Sequence, residues 1–326
     1  MSANVKPKLL VTRKVFDEVI DLLSQHFEIE SNQADAEWTH AELLSRAAGK
    51  DALFVVGGER IDAELLDACP TVRIVTTGSV GYNHIDVDAC SARRIPVTNT
   101  PDVLTEATAD MAWALLMAAA RRVTESERWL RAGHWKRWEW AQFLGQDLHG
   151  ATLGIAGMGR IGSAVARRAR GFEMRVLYHN RSRAANEAEL GATRVDKDQL
   201  FAEADHVVLV MPYTPQTHHF VGARELGLMK PTATIVNIAR GGIIDDAALA
   251  QALAAHRIAA AGLDVYEGEP ALNPALLALD NVALTPHIGS ATRSSRLGMA
   301  MLAARNLVAW AEHRPLETPV NADALA

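Results

Sequence analysis

Cysteine and long apolar runs are both scarce in this chain of 326 residues. Only two cysteines occur, Cys69 and Cys90, which is too few for a disulfide framework or a cysteine-based zinc site. We therefore expect a reducing, cytoplasmic location and no bound metal. The longest purely apolar run covers residues 111–120, too short to span a bilayer. The N-terminus lacks the pattern of a secretory signal peptide.

An excess of positive charge is lacking as well. The formal net charge is -6, which gives no electrostatic reason to bind nucleic acid or an anionic membrane. Hydrophobic residues make up 49% of the chain and charged residues 22%, a balance that excludes disorder. The length suggests two domains. We expect the partners to be small molecules.

Short β-rich segments alternate with helical patterns along most of the sequence, which predicts an α/β protein with parallel sheets covered by helices. Strands are predicted first at residues 9–12, 28–30, 52–56, 73–77 and 96–98. Six more are predicted at 153–156, 175–178, 206–210, 234–237, 261–265 and 282–284. Long helices are expected over residues 105–122 and 290–313.

These elements predict two doubly wound domains with a cleft between them. Residues 103–287 are expected to form a Rossmann dinucleotide-binding domain, since six strands suit that fold. Residues 1–102 and 288–326 are expected to form a flavodoxin-like substrate domain. The second helix would return the chain to that domain.

A Gly-x-Gly-x-x-Gly run stands at Gly157, Gly159 and Gly162, directly behind an apolar strand and before a helical pattern. In this context the glycines allow a tight turn, close approach of a pyrophosphate and close helix packing. Glycine-rich turns also occur by chance, so the motif needs support from other residues. It predicts a nucleotide cofactor.

The strand after this turn ends without the acid that usually binds the adenosine ribose in NAD-binding units. No Asp or Glu occurs between Met174 and Asn186. The tip carries instead Asn180, Arg181, Ser182 and Arg183. Guanidinium groups with a hydroxyl suit a ribose 2′-phosphate, which favours NADP(H), with NAD(H) as the alternative cofactor. The competing interpretation is a solvated charged loop.

Polar residues that follow parallel strands are candidates for chemistry, because ligands bind at the carboxyl ends of such strands. Arg240 follows one strand and could hold a carboxylate with its planar fork, or it could simply cap a turn. His287 follows the last strand. A carboxylate beside it would hold the imidazole tautomer, and spacing leaves Glu267 and Glu269 equally open for that place.

The chain resembles the D-isomer-specific 2-hydroxyacid dehydrogenases over nearly its whole length. The motifs that carry the resemblance are Val-Gly-Tyr-Asn at 80–83, Asn-Thr-Pro at 99–101, Asn-Ile-Ala-Arg-Gly-Gly at 237–242, Gly-Leu-Asp-Val-Tyr at 262–266, Glu-Pro at 269–270 and Pro-His-Ile-Gly-Ser at 286–290. Within the family, the runs 99–110 and 154–162 are most similar to glyoxylate/hydroxypyruvate reductases and 2-ketogluconate reductases.

The resemblance implies roles for individual residues. It makes Arg240, Glu269 and His287 the catalytic set, which favours Glu269 over Glu267. The residues it implies for substrate binding are Val80, Gly81, Trp138, Arg240, His287 and Ser290. Those implied for cofactor binding are Thr108, Gly157, Met158, Gly159, Arg160, Ile161, Gly162, Asn180, Arg181, Ser182, Arg183, Pro212, Thr217, Ile238, Ala239, Asp264 and Gly289.

The tryptophan-rich segment 129–140 is similar to the arm that joins two subunits in this family. The resemblance implies a homodimer in which Trp138 reaches the active site of the partner. For each tryptophan taken alone, simple interface packing is the alternative.

Together these features predict NADPH-dependent reduction of small 2-oxo acids to (2R)-hydroxy acids, with glyoxylate, hydroxypyruvate and 2-ketogluconate as candidate substrates. One alternative is an NAD-dependent D-2-hydroxyacid dehydrogenase of other specificity. Another is a non-catalytic protein that senses nucleotides, because transcriptional corepressors resemble the same family and a fold does not settle a function.

Overall fold

The computed structural model of the chain describes residues 6–324. Residues 1–5 and 325–326, which the predicted substrate domain includes, lie outside the described residues. The chain forms two compact units. One is Thr105–Ala291, and the other contains the chain up to Leu104 and again from Thr292.

The discontinuous unit is built on a five-stranded parallel sheet in the order β2-β1-β3-β4-β5, which is the flavodoxin-type order. Its strands are β1 (Lys8–Val11), β2 (Glu28–Ser31), β3 (Ala52–Val55), β4 (Ile74–Thr77) and β5 (Val97–Thr98). Its helices are α1 (Asp17–Ser24), α2 (His40–Ala47), α3 (Ala63–Ala68), α4 (Val87–Ala92) and, after the other unit, α13 (Arg293–Ala311).

Both faces of this sheet are buried, as the apolar strands require. Leu9 packs in the cluster on one face and Leu10 in the cluster on the other, because successive side chains of a strand alternate. Leu307 of α13 belongs to the first of these clusters. The C-terminal tail then joins β5, where the Val320 N–H donates to the Val97 carbonyl at 2.7 Å. The C-terminal part of the chain therefore completes this unit.

The unit Thr105–Ala291 contains a seven-stranded parallel sheet in the order β8-β7-β6-β9-β10-β11-β12. Its strands are β6 (Thr152–Ala156), β7 (Arg175–His179), β8 (Ala192–Arg194), β9 (His206–Leu209), β10 (Thr234–Asn237), β11 (Ala260–Leu263) and β12 (Val282–Leu284). Its helices are α5 (Thr105–Ala120), α6 (Val123–Arg131), α7 (Arg160–Ala169), α8 (Glu187–Leu190), α9 (Lys197–Glu203), α10 (Ala223–Leu228), α11 (Asp246–Ala254) and α12 (Pro274–Leu277).

The prediction of six strands in this unit was wrong by one, because β8 was missed. Its residues Thr193 and Arg194 are exposed and Ala192 is only half-buried, so the strand carries no apolar run that the sequence could reveal. Every strand that the sequence predicts is present. The fold class is confirmed: two parallel α/β units, one with the Rossmann strand order.

The strand order reverses between β6 and β9, which are neighbours in the sheet. Ligands of such sheets bind outside the carboxyl ends of the strands at this point. The glycine turn, Arg240 and His287 all lie just beyond carboxyl ends of strands in this one sheet. Between residues 6 and 324, none of the helices combines the length and hydropathy that crossing a membrane requires.

Candidate active site

The glycine turn has the close contacts that its three glycines require. A Cβ atom at Gly157, where φ is +104°, would lie 2.8 Å from the Met211 nitrogen. One at Gly162 would lie 2.1 Å from the Gly157 carbonyl oxygen, whereas one at Gly159 would meet no atom within 4 Å. Helix α7 begins directly after Gly159 without a side-chain cap. The open space and the uncapped N–H groups fit a pyrophosphate.

The basic tip after β7 is joined to this turn. The Asn180 side-chain oxygen accepts the Met158 N–H at 2.8 Å. Arg194 holds the tip from β8, since its Nη2 lies 2.9 Å from both the Asn180 and the Arg181 carbonyl oxygens. Sequence reasoning did not select Arg194, because the strand that carries it was itself missed.

Arg183, which was expected to bind the cofactor, is engaged elsewhere. Its guanidinium forms an ion pair with Glu187. The hydroxyl of buried Tyr178 donates to the same carboxylate. The Tyr178 hydroxyl and then Arg183 hold the pKa of the Glu187 carboxyl below its usual range. By contrast, the exposed Arg181 side chain makes no hydrogen bond or ion pair to another residue within 6–324.

Arg240 stands on a tightly fixed turn after β10. The Asn237 side chain accepts the Ala239 N–H at 3.0 Å and donates to the Arg240 carbonyl oxygen at 3.0 Å. A Cβ atom at Gly241 would overlap the Tyr266 carbonyl oxygen, so only glycine fits there. Burial lowers the pKa of the Arg240 guanidinium, while the negative charge of Glu269 raises it. A permanent cation thus lies close to the Glu269 carboxylate.

Glu269 is the carboxylate that contacts His287. Its Oε2 lies 2.8 Å from His287 Nδ1, a distance typical of a charge-assisted hydrogen bond. Glu267 contacts a different imidazole, with Oε2 at 3.1 Å from His219 Nε2. The geometry therefore settles which carboxylate lies beside His287. Spacing alone left this open, and the resemblance had favoured Glu269.

A buried carboxylate fixes the loop that carries His287. Asp264 accepts the Ile288 N–H at 2.8 Å on Oδ1 and the Gly289 N–H at 2.7 Å on Oδ2. The Asp264 carbonyl oxygen accepts the His287 N–H at 2.9 Å. His287 itself has φ of 53°, a left-handed conformation that costs energy for a residue with a side chain. These bonds explain how the loop keeps that conformation, and sequence reasoning did not foresee them.

The other implied cofactor residues surround the same sheet edge. A Cβ atom at Gly289 would lie 3.0 Å from Asp264 Oδ2 and 3.7 Å from the Thr108 methyl, so these three residues lie together. In the loop after β9, Thr217 donates its hydroxyl to the Pro212 carbonyl oxygen at 2.9 Å. The remaining implied cofactor positions are Arg160 and Ile161 at the start of α7, exposed Ser182, and buried Ile238 and Ala239. Ser290, which the resemblance implies for substrate binding, is half-buried.

Val80 and Gly81 lie in the discontinuous unit, in the loop after β4. The Asn99 side chain donates to the Val80 carbonyl oxygen at 2.8 Å, and the Ser79 hydroxyl donates to the Gly81 carbonyl oxygen at 2.6 Å. In the part of the chain that the structure describes, the N–H groups of Val80 and Gly81 donate to no acceptor. The loop is therefore fixed through its carbonyls, while two donors remain for an anion.

Comparison with known proteins identifies the family. The model of the D-isomer specific 2-hydroxyacid dehydrogenase NAD binding domain matches residues 113–289. The chain is 49% identical to a glyoxylate reductase of Thermococcus onnurineus over 98% of both chains. It is 50% identical to a glyoxylate reductase of Thermococcus kodakarensis over 97% of both. The chain belongs to the D-isomer specific 2-hydroxyacid dehydrogenase family.

A solved structure gives the same result. The chain superposes with a TM-score of 0.87 on the NADPH-dependent glyoxylate/hydroxypyruvate reductase of Sinorhizobium meliloti in complex with NADP and malonate, at 36% identity and 97% coverage of both chains. The resemblance seen in the sequence is confirmed, and the chain is an oxidoreductase of the 2-hydroxyacid dehydrogenase type.

Proposed function

We propose that the protein is an NADPH-dependent reductase that converts glyoxylate, hydroxypyruvate and 2-ketogluconate to (2R)-hydroxy acids. The observation that carries the proposal is the 2.8 Å contact of Glu269 with His287 in the unit that also carries Arg240 and the glycine turn. In this proposal His287 is the proton donor, Glu269 its orienting carboxylate and Arg240 the cation that binds the substrate carboxylate, and all three follow strands of one sheet. The names of the glyoxylate reductase relatives support the substrate class.

The residues divide the reaction between them. The glycine turn would hold a reduced nicotinamide cofactor, and the chemistry this cofactor would supply is a hydride for the substrate carbonyl carbon. Glu269 accepts a hydrogen bond from the Nδ1–H group of His287, which leaves Nε2 as the atom that gives a proton to the substrate oxygen. The Arg240 fork binds the substrate carboxylate. Such positioning lowers the entropic part of the barrier.

Initial rates with purified protein test the proposal. We expect NADPH oxidation with glyoxylate and hydroxypyruvate at the highest kcat/KM, 2-ketogluconate next and pyruvate lowest. A preference for pyruvate with NADH would instead support an NAD-dependent dehydrogenase of other specificity. Nucleotide binding without turnover of any of the four acids would support the non-catalytic alternative.

We assign the preference for NADPH over NADH to Arg181 and to the basic tip at residues 180–183, which Arg194 holds in place. We expect Arg181→Gln to weaken NADPH binding by roughly 10- to 150-fold, the loss of one charge-assisted hydrogen bond, and to leave NADH binding nearly unchanged. Arg183→Gln is the matched control, because that guanidinium is already paired with Glu187. This variant should lose less affinity for NADPH than Arg181→Gln. An equal loss for NADH and NADPH in the Arg181 variant would contradict a 2′-phosphate site.

A second copy of the chain is the proposed partner. Residues 131–140 are all exposed, and they include Trp138 and Trp140 at 68% and 85% exposure. Exposed aromatic residues in such a concentration mark an interaction surface. The same unit carries a groove of about 580 Å³ lined in part by Leu144, Leu253 and Leu279. These features support a homodimer in which the tryptophan segment packs against the partner.

Light scattering of the purified protein tests this assembly. We expect a dimer for the native chain and a monomer, or a dimer that dissociates on dilution, for Trp140→Ser. If Trp138 reaches the partner's substrate, Trp138→Phe should raise KM for glyoxylate while the dimer persists. A native chain that is monomeric at all concentrations would refute the assembly.

A cytoplasmic location belongs to the proposal as well. Cys69 and Cys90 are both free and buried, which fits a reducing compartment. Burial raises the pKa of the Cys69 thiol and raises that of Cys90 to about 12, so neither is a reactive thiolate. Cell fractionation with an antibody tests the location, and recovery of the protein outside the cytoplasm would contradict it.

A further inference from the structure

One group of side chains that could ligate a metal ion lies outside the residues that the proposed reaction uses. It consists of His218, His219 and Glu267, each of which offers one ligand atom, and these atoms lie within 4.8 Å of one another. We propose that this cluster is a binding site for a divalent metal ion of the zinc type. Two imidazoles and one carboxylate are a donor set that zinc prefers.

The distances among the three side chains support a shared ion. Glu267 Oε2 lies 3.1 Å from His219 Nε2, and the ligand atoms of all three side chains lie within 4.8 Å of one another. Asp245 lies on the other side of the His219 ring, with Oδ2 at 4.0 Å from Nδ1, the nitrogen that Glu267 does not contact. All three members of the cluster are exposed, so an ion can reach them from solvent.

The surrounding backbone and side chains hold the cluster in place. The His219 N–H donates to the Gly242 carbonyl oxygen at 2.7 Å, and the Glu267 N–H donates to Asp246 Oδ2 at 3.1 Å. The Tyr213 hydroxyl lies 3.2 Å from His218 Nδ1. Partners of this kind orient metal ligands and increase affinity. His219 also has φ of 47°, a left-handed conformation found at functional sites.

The cluster connects two turns that carry residues of the catalytic set. Gly242 follows Arg240 by two positions, and Glu267 precedes Glu269 by two. An ion held by His219 and Glu267 would tie these turns to the loop after β9. No sequence pattern reveals this site, because 48 positions separate His219 from Glu267. The proposal contradicts the expectation of no metal, which rested on the small number of cysteines.

Calorimetric titration of the chelator-treated full chain with zinc sulfate tests the site. We expect one zinc ion per chain. His219→Gln and Glu267→Gln should each weaken binding by more than about 10-fold, since changes even to outer partners of metal ligands cost that much. His40→Gln is the matched control, because His40 lies 4.0 Å from both Asp62 and Glu64 in the other His-carboxylate group, and it should bind zinc like the native chain.

A melting curve recorded with chelator shows whether each variant is folded. With zinc added, the native chain and His40→Gln should gain melting temperature, whereas His219→Gln and Glu267→Gln should gain less. Zinc binding by both cluster variants with native affinity would overturn the proposal, as would a native chain that binds no zinc at all. Neither result depends on reductase activity, so the site can fail while the proposed reaction stands.

Discussion

Replacement of Glu269 by glutamine removes the negative charge beside His287 and keeps the size of the side chain. The substitution removes the charge that strengthens the 2.8 Å hydrogen bond from the imidazole to Oε2. Hydrogen bonds to charged groups contribute about 1.5–3 kcal/mol, which corresponds to roughly 10- to 150-fold in kcat/KM. Because the side chains of His287 and Glu269 are 47% and 29% exposed, we expect a value in the lower half of that range.

Steady-state oxidation of NADPH with glyoxylate measures this loss. The matched control is Glu173→Gln, which removes a carboxylate 3.6 Å from the imidazole of His149 in the same unit. The control should behave like the native chain, because that pair lies on the open surface. NADPH affinity of Glu269→Gln should stay close to native. A Glu269→Gln enzyme with native kcat/KM would refute the role of the carboxylate in holding His287.

Three further changes test other parts of the account. Arg240→Lys keeps the charge but loses the planar fork, so KM for glyoxylate should rise and kcat should fall. An unchanged KM would contradict the assignment of Arg240 to substrate binding. Gly162→Ala should abolish NADPH binding measured by fluorescence, because its Cβ would lie 2.1 Å from a carbonyl oxygen, whereas Gly171→Ala, with no atom within 4 Å, should bind normally. Burial raises the pKa of the Glu225 carboxyl, but hydrogen bonds from a backbone N–H and from Lys197 outweigh it and lower the pKa to about 2 from 4.5. That carboxylate should therefore contribute about 3 kcal/mol to the free energy of unfolding above pH 4.5, a contribution lost as the pH falls towards 2; denaturation of Glu225→Gln should show a smaller pH dependence in this interval, and an identical one would contradict the assignment.

Elements with strong apolar patterns were predictable from the sequence, and the weakly patterned ones were not. Buried strands such as β6 and β10 are apolar runs bounded by turn residues, so their positions could be read directly. Strand β8 lies at an edge of the sheet and its side chains are largely exposed, so its sequence pattern does not differ from that of a loop. Because β8 was not predicted, Arg194 was not predicted either. Its contacts with the basic tip depend on the pairing of β8 with β7.

The sequence indicated which residues are candidates for the site, but it did not indicate which of them contact one another. Position after a strand pointed to Arg240 and His287, because the carboxyl ends of parallel strands lie at one edge. Spacing could not choose between Glu267 and Glu269, since two residues of one turn can point to different neighbours. The role of Asp264 in fixing the His287 loop was likewise hidden, because its bonds go to backbone N–H groups that any sequence would offer.

His287→Ala tests the central claim most directly, that this imidazole gives the proton to the carbonyl oxygen of a 2-oxo acid. A positioned general acid contributes roughly 10²–10⁴ in rate, so kcat for glyoxylate with NADPH should fall by that factor. NADPH affinity, measured on the same sample, should change little, because the imidazole is not part of the glycine turn. Native turnover by the His287→Ala protein would contradict the account.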